Sequence, residues 1–265
     1  HRVPPVAWLV RYRNPAALAV AAGARPAPPP LHVESVTWLS GRKDVLCGTF
    51  MAAALYAGLS FSIARSSGAQ EQRRYVLGCV ISSLLALLSK PTAIVLPALL
   101  LLQDWLIVPQ GQRAFTHLRE RLACYVPVAL LCAAVGGLYV RVAGLHAQAA
   151  SPSSVFAGPL WLRVGQQLLE NLRLSLLPTE IVPIYPAYSF ETQPWTATGA
   201  LAALTLVACA LLCAWGLYRR NLLGFALCFF CLALAASLVR PVWGQLVAGR
   251  YLFYAVLGPC LLLPW

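Results

Sequence analysis

The chain has 265 residues, 60% of them hydrophobic and only 11% charged, with a mean hydropathy of +0.71 and a formal net charge of +12. A soluble domain carries about 25% charged residues and spaces its apolar residues amphipathically, whereas this chain gathers them in long unbroken blocks. An ordinary soluble enzyme is therefore excluded, and the expected fold class is all-α, a polytopic transmembrane helix bundle.

The 20 Lys and Arg against 8 Asp and Glu would suggest nucleic acid in a soluble protein. Here much of that charge lies in short loops between apolar runs, where orientation in the membrane accounts for it. No RNA-binding aromatic motif or zinc-finger spacing competes, so no nucleic acid is expected as a partner.

In chain order, residues 1–30 form an irregular leader rich in Pro, Ala and Arg, with prolines at 26, 28, 29 and 30 that forbid a regular helix. The remainder, 31–265, reads as one membrane domain. Neither a signal peptide nor an initiator Met precedes it, and the chain stops inside an apolar run at Trp265, so a longer protein is expected. Leu46 to Ala64 is the first span, of the length a roughly 30 Å hydrocarbon core requires. A basic loop with Arg65, Arg73 and Arg74 leads to the second, Tyr75 to Leu88. Ser89-Lys90-Pro91 makes a tight turn into the third, Thr92 to Val108, which carries Gln103 and Asp104.

A second basic loop, Pro109 to Arg121, precedes the fourth span, Leu122 to Val140. Within the long polar stretch 141–195, Leu160 to Leu177 has apolar positions at helical spacing but also Arg163, Gln166, Gln167, Glu170, Asn171 and Arg173. That is too polar for a lipid-facing span, so an extracytoplasmic interfacial helix or a bundle-packed one is expected. Thr196 to Tyr218 and Leu222 to Val239 follow, and Tyr251 to Trp265 begins another, giving about seven spans.

Placing the loops 65–74, 109–121 and 219–220 in the cytoplasm puts their eight Arg where the positive-inside rule expects them. The opposite face then receives 31–45, 89–91, 141–195 and 240–250. It collects Glu34, Arg42, Lys43, Asp44, Lys90 and Arg250. If 33–46 is helical, Glu34, Trp38 and Arg42 share a stripe, with about 12 Å between its ends. An ionisable side chain at membrane depth faces a cavity or a partner, which marks Glu34 as a functional candidate; the role of catalytic acid for Glu34 and Asp44 comes from the family resemblance given below. Arg42, Lys43 and Lys90 are the candidate phosphate-binding cations, the competing role for each being a snorkelling helix end.

Asp104 reads as a helix-end carboxylate near the interface. The nine cysteines, nearly all inside apolar runs, read as small packing residues, and Cys228-Phe-Phe-Cys231 matches CxxC by letter alone. His32 has no second His near it, and oxygen ligands are too few to specify a metal, so no cofactor is expected beyond a conceivable divalent cation near Glu34. Walker, GxSxG, HExxH and GxGxxG motifs are absent.

Three ordered stretches, LHVESVTWLSGRKDVL, LLALLSKPTAIVLPALLLLQDW and QLVAGRYLFYAVLGPCLLL, resemble the polytopic glycosyltransferases of the C superfamily. The likeness is to the membrane O-mannosyltransferase-like proteins with tetratricopeptide repeats, including their bacterial relatives. It implies transfer of a mannose-like hexose from a polyprenyl or dolichyl phosphate donor to a protein or glycan hydroxyl. The setting would be the extracytoplasmic face of a multi-pass protein, in a bacterial inner membrane or an endoplasmic reticulum membrane. It assigns Glu34, Arg42 and Asp44 to the active-site rim, Lys90 to a Ser-Lys-Pro turn, and Arg250 with Tyr251 to an Arg-Tyr motif. Two positions depart from the family pattern: Pro29 stands where a His is usual, and Gly249 where an acid precedes Arg-Tyr. The family's acidic first loop with its catalytic Asp would lie upstream of residue 1, and its repeats beyond Trp265. The alternatives are a transporter or flippase of an anionic lipid-linked substrate, which basic residues around a cavity would suit although no internal repeat is present, and a non-catalytic membrane scaffold.

Overall fold

In hydrocarbon each backbone N–H and C=O must be paired within its own segment, so charge-free runs of Leu, Ala, Val and Phe become helices. The computed structural model describes residues 41–63, 69–107, 114–149, 159–176, 195–239, 252 and 255. Among these the regular elements are all helical: α1 (Arg42–Ile63), α2 (Ala69–Ser89), a 3-10 turn (Pro91–Val95), α3 (Leu96–Ile107), α4 (Ala114–Ala149), α5 (Leu160–Leu176), α6 (Ala197–Arg219) and α7 (Leu222–Val239).

Three of them contain segments long and apolar enough to cross a membrane: Arg42–Ser62, Arg121–Tyr139 and Ala197–Arg219. Two shorter apolar segments, Pro91–Trp105 and Leu222–Ala235, accompany them. Helix α2 starts at Ala69, earlier than the expected Tyr75, because Glu71, Arg73 and Arg74 form its first turns. The expected third span is divided: Pro91 lacks the N–H that would continue α2, and the chain makes a 3-10 turn before α3 begins at Leu96. The fourth is lengthened. Residues 114–120, expected as loop, are the first turns of the 36-residue α4, which at about 1.5 Å per residue outreaches the hydrocarbon core.

Of the described residues, Lys43–Val140 form one compact unit, and those from Arg141 onward belong to a second. In the first, small residues let helices approach closely, as is usual between membrane helices. A Cβ added at Gly58 of α1 would fall 2.6 Å from Leu100 of α3, and one at Gly136 of α4 would fall 2.5 Å from Ile94 in the 3-10 turn. Leu77, Ile81, Leu84, Leu85 and Leu88 of α2 are exposed, which suits a lipid-facing stripe.

In the second unit, α5 packs on α6 and α7, and α6 on α7. A Cβ at Gly165 would meet the Ala202 carbonyl oxygen at 2.7 Å. The α6–α7 turn is closer still: a Cβ at Gly216 would stand 2.1 Å from the Gly224 Cα. Of the two settings expected for Leu160 to Leu177, helix α5 shows packing against other helices. Leu162, Gly165, Gln166, Gln167, Leu168, Asn171 and Leu174 are all buried, and only Leu160, Trp161 and Arg173 among 160–175 are exposed. A helix lying on a surface leaves one whole face open, whereas this one is enclosed on its polar side too.

Candidate functional site

Ser89-Lys90-Pro91 positions the first pair of charged residues. Pro91 disfavours the helical conformation for the residue before it, and Lys90 is extended, with φ −157° and ψ 129°. Its backbone N–H still reaches Ala86 O at 2.9 Å, and its carbonyl accepts from Ala93 N–H at 3.1 Å. Helix α2 therefore stops while the Lys90 side chain is turned toward α1. There its Nζ donates to Asp44 Oδ1 in a salt bridge.

Asp44 lies in the first turn of α1, where the helix dipole favours a negative charge. Its side chain is fully buried, and that of Lys90 is 12% exposed. Asp44 Oδ2 is buried without a hydrogen-bond partner. The Cys47 thiol, one turn further along α1, and the Thr92 hydroxyl are buried beside the pair.

Of the expected site residues, then, Asp44 and Lys90 meet and neutralise one another inside the helix packing. Arg42 and Lys43 are exposed at the start of α1. Glu34, Arg250 and Tyr251 lie outside the described residues. Among the described residues no group of three or more His, Cys, Asp or Glu is arranged to hold a metal ion. The eight cysteines described are free thiols, six of them buried.

A second buried charge pair occupies the other end of α1. Arg121 Nη1 of α4 donates to Asp104 Oδ1 of α3 and to Ser62 Oγ of α1. Ser62 Oγ lies 3.1 Å from Asp104 Oδ1 and 2.8 Å from Gly58 O. One turn away, Gln103 Nε2 donates to Leu55 O at 3.1 Å, tying α3 to α1 again. The expectation that Asp104 lies near a helix end holds, whereas Arg121, expected in a loop, lies within α4. The missed signal is that Arg121 immediately precedes a charge-free run, so its side chain can turn back along the helix to a buried acid. From Asp44 to Ser62 is 18 positions of α1, about 27 Å, close to the thickness of a hydrocarbon core. One ion pair thus stands near each end of α1.

No family model, curated protein or solved structure matches the chain.

Proposed function

We propose that the chain is part of a multi-pass membrane glycosyltransferase that takes a mannose-like sugar from a polyprenyl or dolichyl phosphate donor at the extracytoplasmic face. In this reading it is a bundle of about seven spans, its acceptor is a protein or glycan hydroxyl, and tetratricopeptide repeats belong to the longer protein. One observation carries most weight. Two of the three stretches that resemble the transferases bring Asp44 and Lys90, 46 positions apart, into contact.

The chemistry asked of such a pair is simple. Lys90 holds Asp44 Oδ1, which leaves Oδ2 as the acceptor for a proton from the attacking hydroxyl. Arg42 and Lys43, exposed at the start of the same helix, supply positive charge to the donor's phosphate as it leaves. Glu34 orients the acceptor, and Arg250 with Tyr251 contributes to holding the lipid phosphate.

The mutual neutralisation of Asp44 and Lys90 favours one other reading, a non-catalytic scaffold in which the pair only fastens α1 to α2. The two are separated with the full-length protein in proteoliposomes containing polyprenyl phosphate mannose labelled in the sugar. Transfer abolished by Glu34→Ala, Asp44→Asn and Lys90→Ala, in variants that remain folded, is expected of the enzyme. Full activity in all three, or no transfer by the unaltered protein, rejects it.

A further inference from the structure

The cysteines of α6 and α7 form a cluster away from both charge pairs. Four of the eight described thiols belong to it: Cys209 and Cys213 on α6, Cys228 and Cys231 on α7. The two on each helix stand about one turn apart and so share a face. Helices α6 and α7, joined by a short turn and packed together, run antiparallel, and Gly216 and Gly224 bring their backbones into near contact. Cys213 and Cys228 come three and four positions from that contact, and Cys209 and Cys231 seven positions each. The thiols of the two helices therefore face each other at two successive turns.

The contacts agree with that register. Cys228 Sγ donates to the Cys213 carbonyl oxygen at 3.9 Å. The Cys213 thiol is within hydrogen-bonding reach of Cys228 and Cys231, and Cys231 is within reach of Cys209 as well. Helices packed through ordinary side chains stand about 8–10 Å apart, whereas a disulfide needs Cα atoms within about 7 Å. The glycine contact brings these two helices close enough for a cross-link. Cys228-Phe-Phe-Cys231 thus gains, across the helix pair, the partners that its spacing alone did not supply.

Exposure separates the four. Cys209 and Cys228 are buried, whereas Cys213 and Cys231 are partly exposed. Cys213 lies among Leu211, Leu212 and Trp215, exposed side chains of a membrane-length helix, about 9 Å along the axis from Arg219. An oxidant that reaches it must dissolve in hydrocarbon. It must also take up protons with the electrons, because a charge left in that setting is costly. A quinone does both. We propose that Cys213 and Cys231 are a dithiol site oxidised by a lipid-soluble quinone. Two S–H bonds break and one S–S bond forms between α6 and α7, and the two protons and two electrons convert the quinone to its quinol. The site stands independently of the transferase reading.

The reduced full-length protein in phosphatidylcholine vesicles, given decylubiquinone without oxygen, tests this. Two thiols per chain are expected to disappear as one quinol forms, and peptide mass spectrometry is expected to find Cys213 joined to Cys231. Cys213→Ala and Cys231→Ala should each abolish quinol formation, whereas Cys209→Ala and Cys228→Ala should leave it unchanged. Oxidised glutathione in the water phase is expected to leave the thiols reduced. An unchanged thiol count in the unaltered protein overturns the proposal. So does quinol formation that survives Cys231→Ala, or oxidation by glutathione as fast as by the quinone. Should the alanine variants fail to fold, the cross-link map of the unaltered protein decides, and a disulfide between any other two cysteines overturns the assignment.

Discussion

Lys90→Ala would leave the Asp44 carboxylate buried with its countercharge gone. Breaking a buried pair from one side costs about 3–5 kcal/mol, whereas replacing both partners by uncharged groups of similar volume is often neutral. We therefore expect Lys90→Ala to lower unfolding stability in detergent by about that amount, and Asp44→Asn with Lys90→Met to recover most of it. The same logic applies at the other pair: Arg121→Ala should destabilise strongly, and Arg121→Met with Asp104→Leu should be tolerated. If the double variant at 44 and 90 is as stable as the parent yet inactive, the pair serves chemistry beyond fastening helices. Each of these four residues was conspicuous in the sequence as a rare charge beside an apolar run, but their pairing was not. Asp44 and Lys90 are 46 positions apart, and Asp104 and Arg121 are 17 apart, so neither separation belongs to any local pattern.

Among the elements, the α6–α7 turn depends on two glycines and a strained residue. Arg220 adopts φ 49° and ψ 45°, the left-handed conformation that commonly ends a helix, and Asn221 Oδ1 then accepts from Gly224 N–H at 2.7 Å to start the next. Gly216→Ala puts a methyl group against backbone that cannot rotate away, and a loss of about 1–3 kcal/mol or more is expected in thermal unfolding. At the opposite end of α6, Thr196 Oγ1 accepts from Gly199 N–H at 3.1 Å. Thr196→Ala should cost about 1 kcal/mol, a smaller effect that the same measurement resolves. The positions of α6 and α7 were readable because a charge-free run, the Arg219-Arg220 pair and a second run follow in order. The setting of α5 was not: its periodicity predicts an apolar and a polar face, and nothing local tells whether water or protein covers the polar one.

For the molecule as a whole, composition and the Arg-rich loops make two statements that can be checked together. The chain should stay in the membrane pellet after an alkaline carbonate wash, as three helices of membrane-spanning length and apolarity require. In a cysteine-free background, Lys43→Cys and Gln70→Cys should label from opposite sides of the membrane, with Gln70 on the cytoplasmic side. Both positions are exposed, at the far end of α1 and the near end of α2. Labelling of both from one side would reject the orientation and with it the extracytoplasmic placement of Asp44 and Lys90.

The sequence by itself determined that the fold is helical and suited to a membrane, because hydrocarbon leaves the backbone few alternatives and a run of apolar residues states its own length. It also located the helix break at Lys90-Pro91, since proline acts on its immediate neighbour. Only the tertiary structure decided which charges cancel, that α5 is enclosed on its polar side, and that Gly216 and Gly224 hold two backbones in near contact. Those outcomes depend on which segments become neighbours in space, and that is settled by packing across the whole chain rather than by any stretch of it.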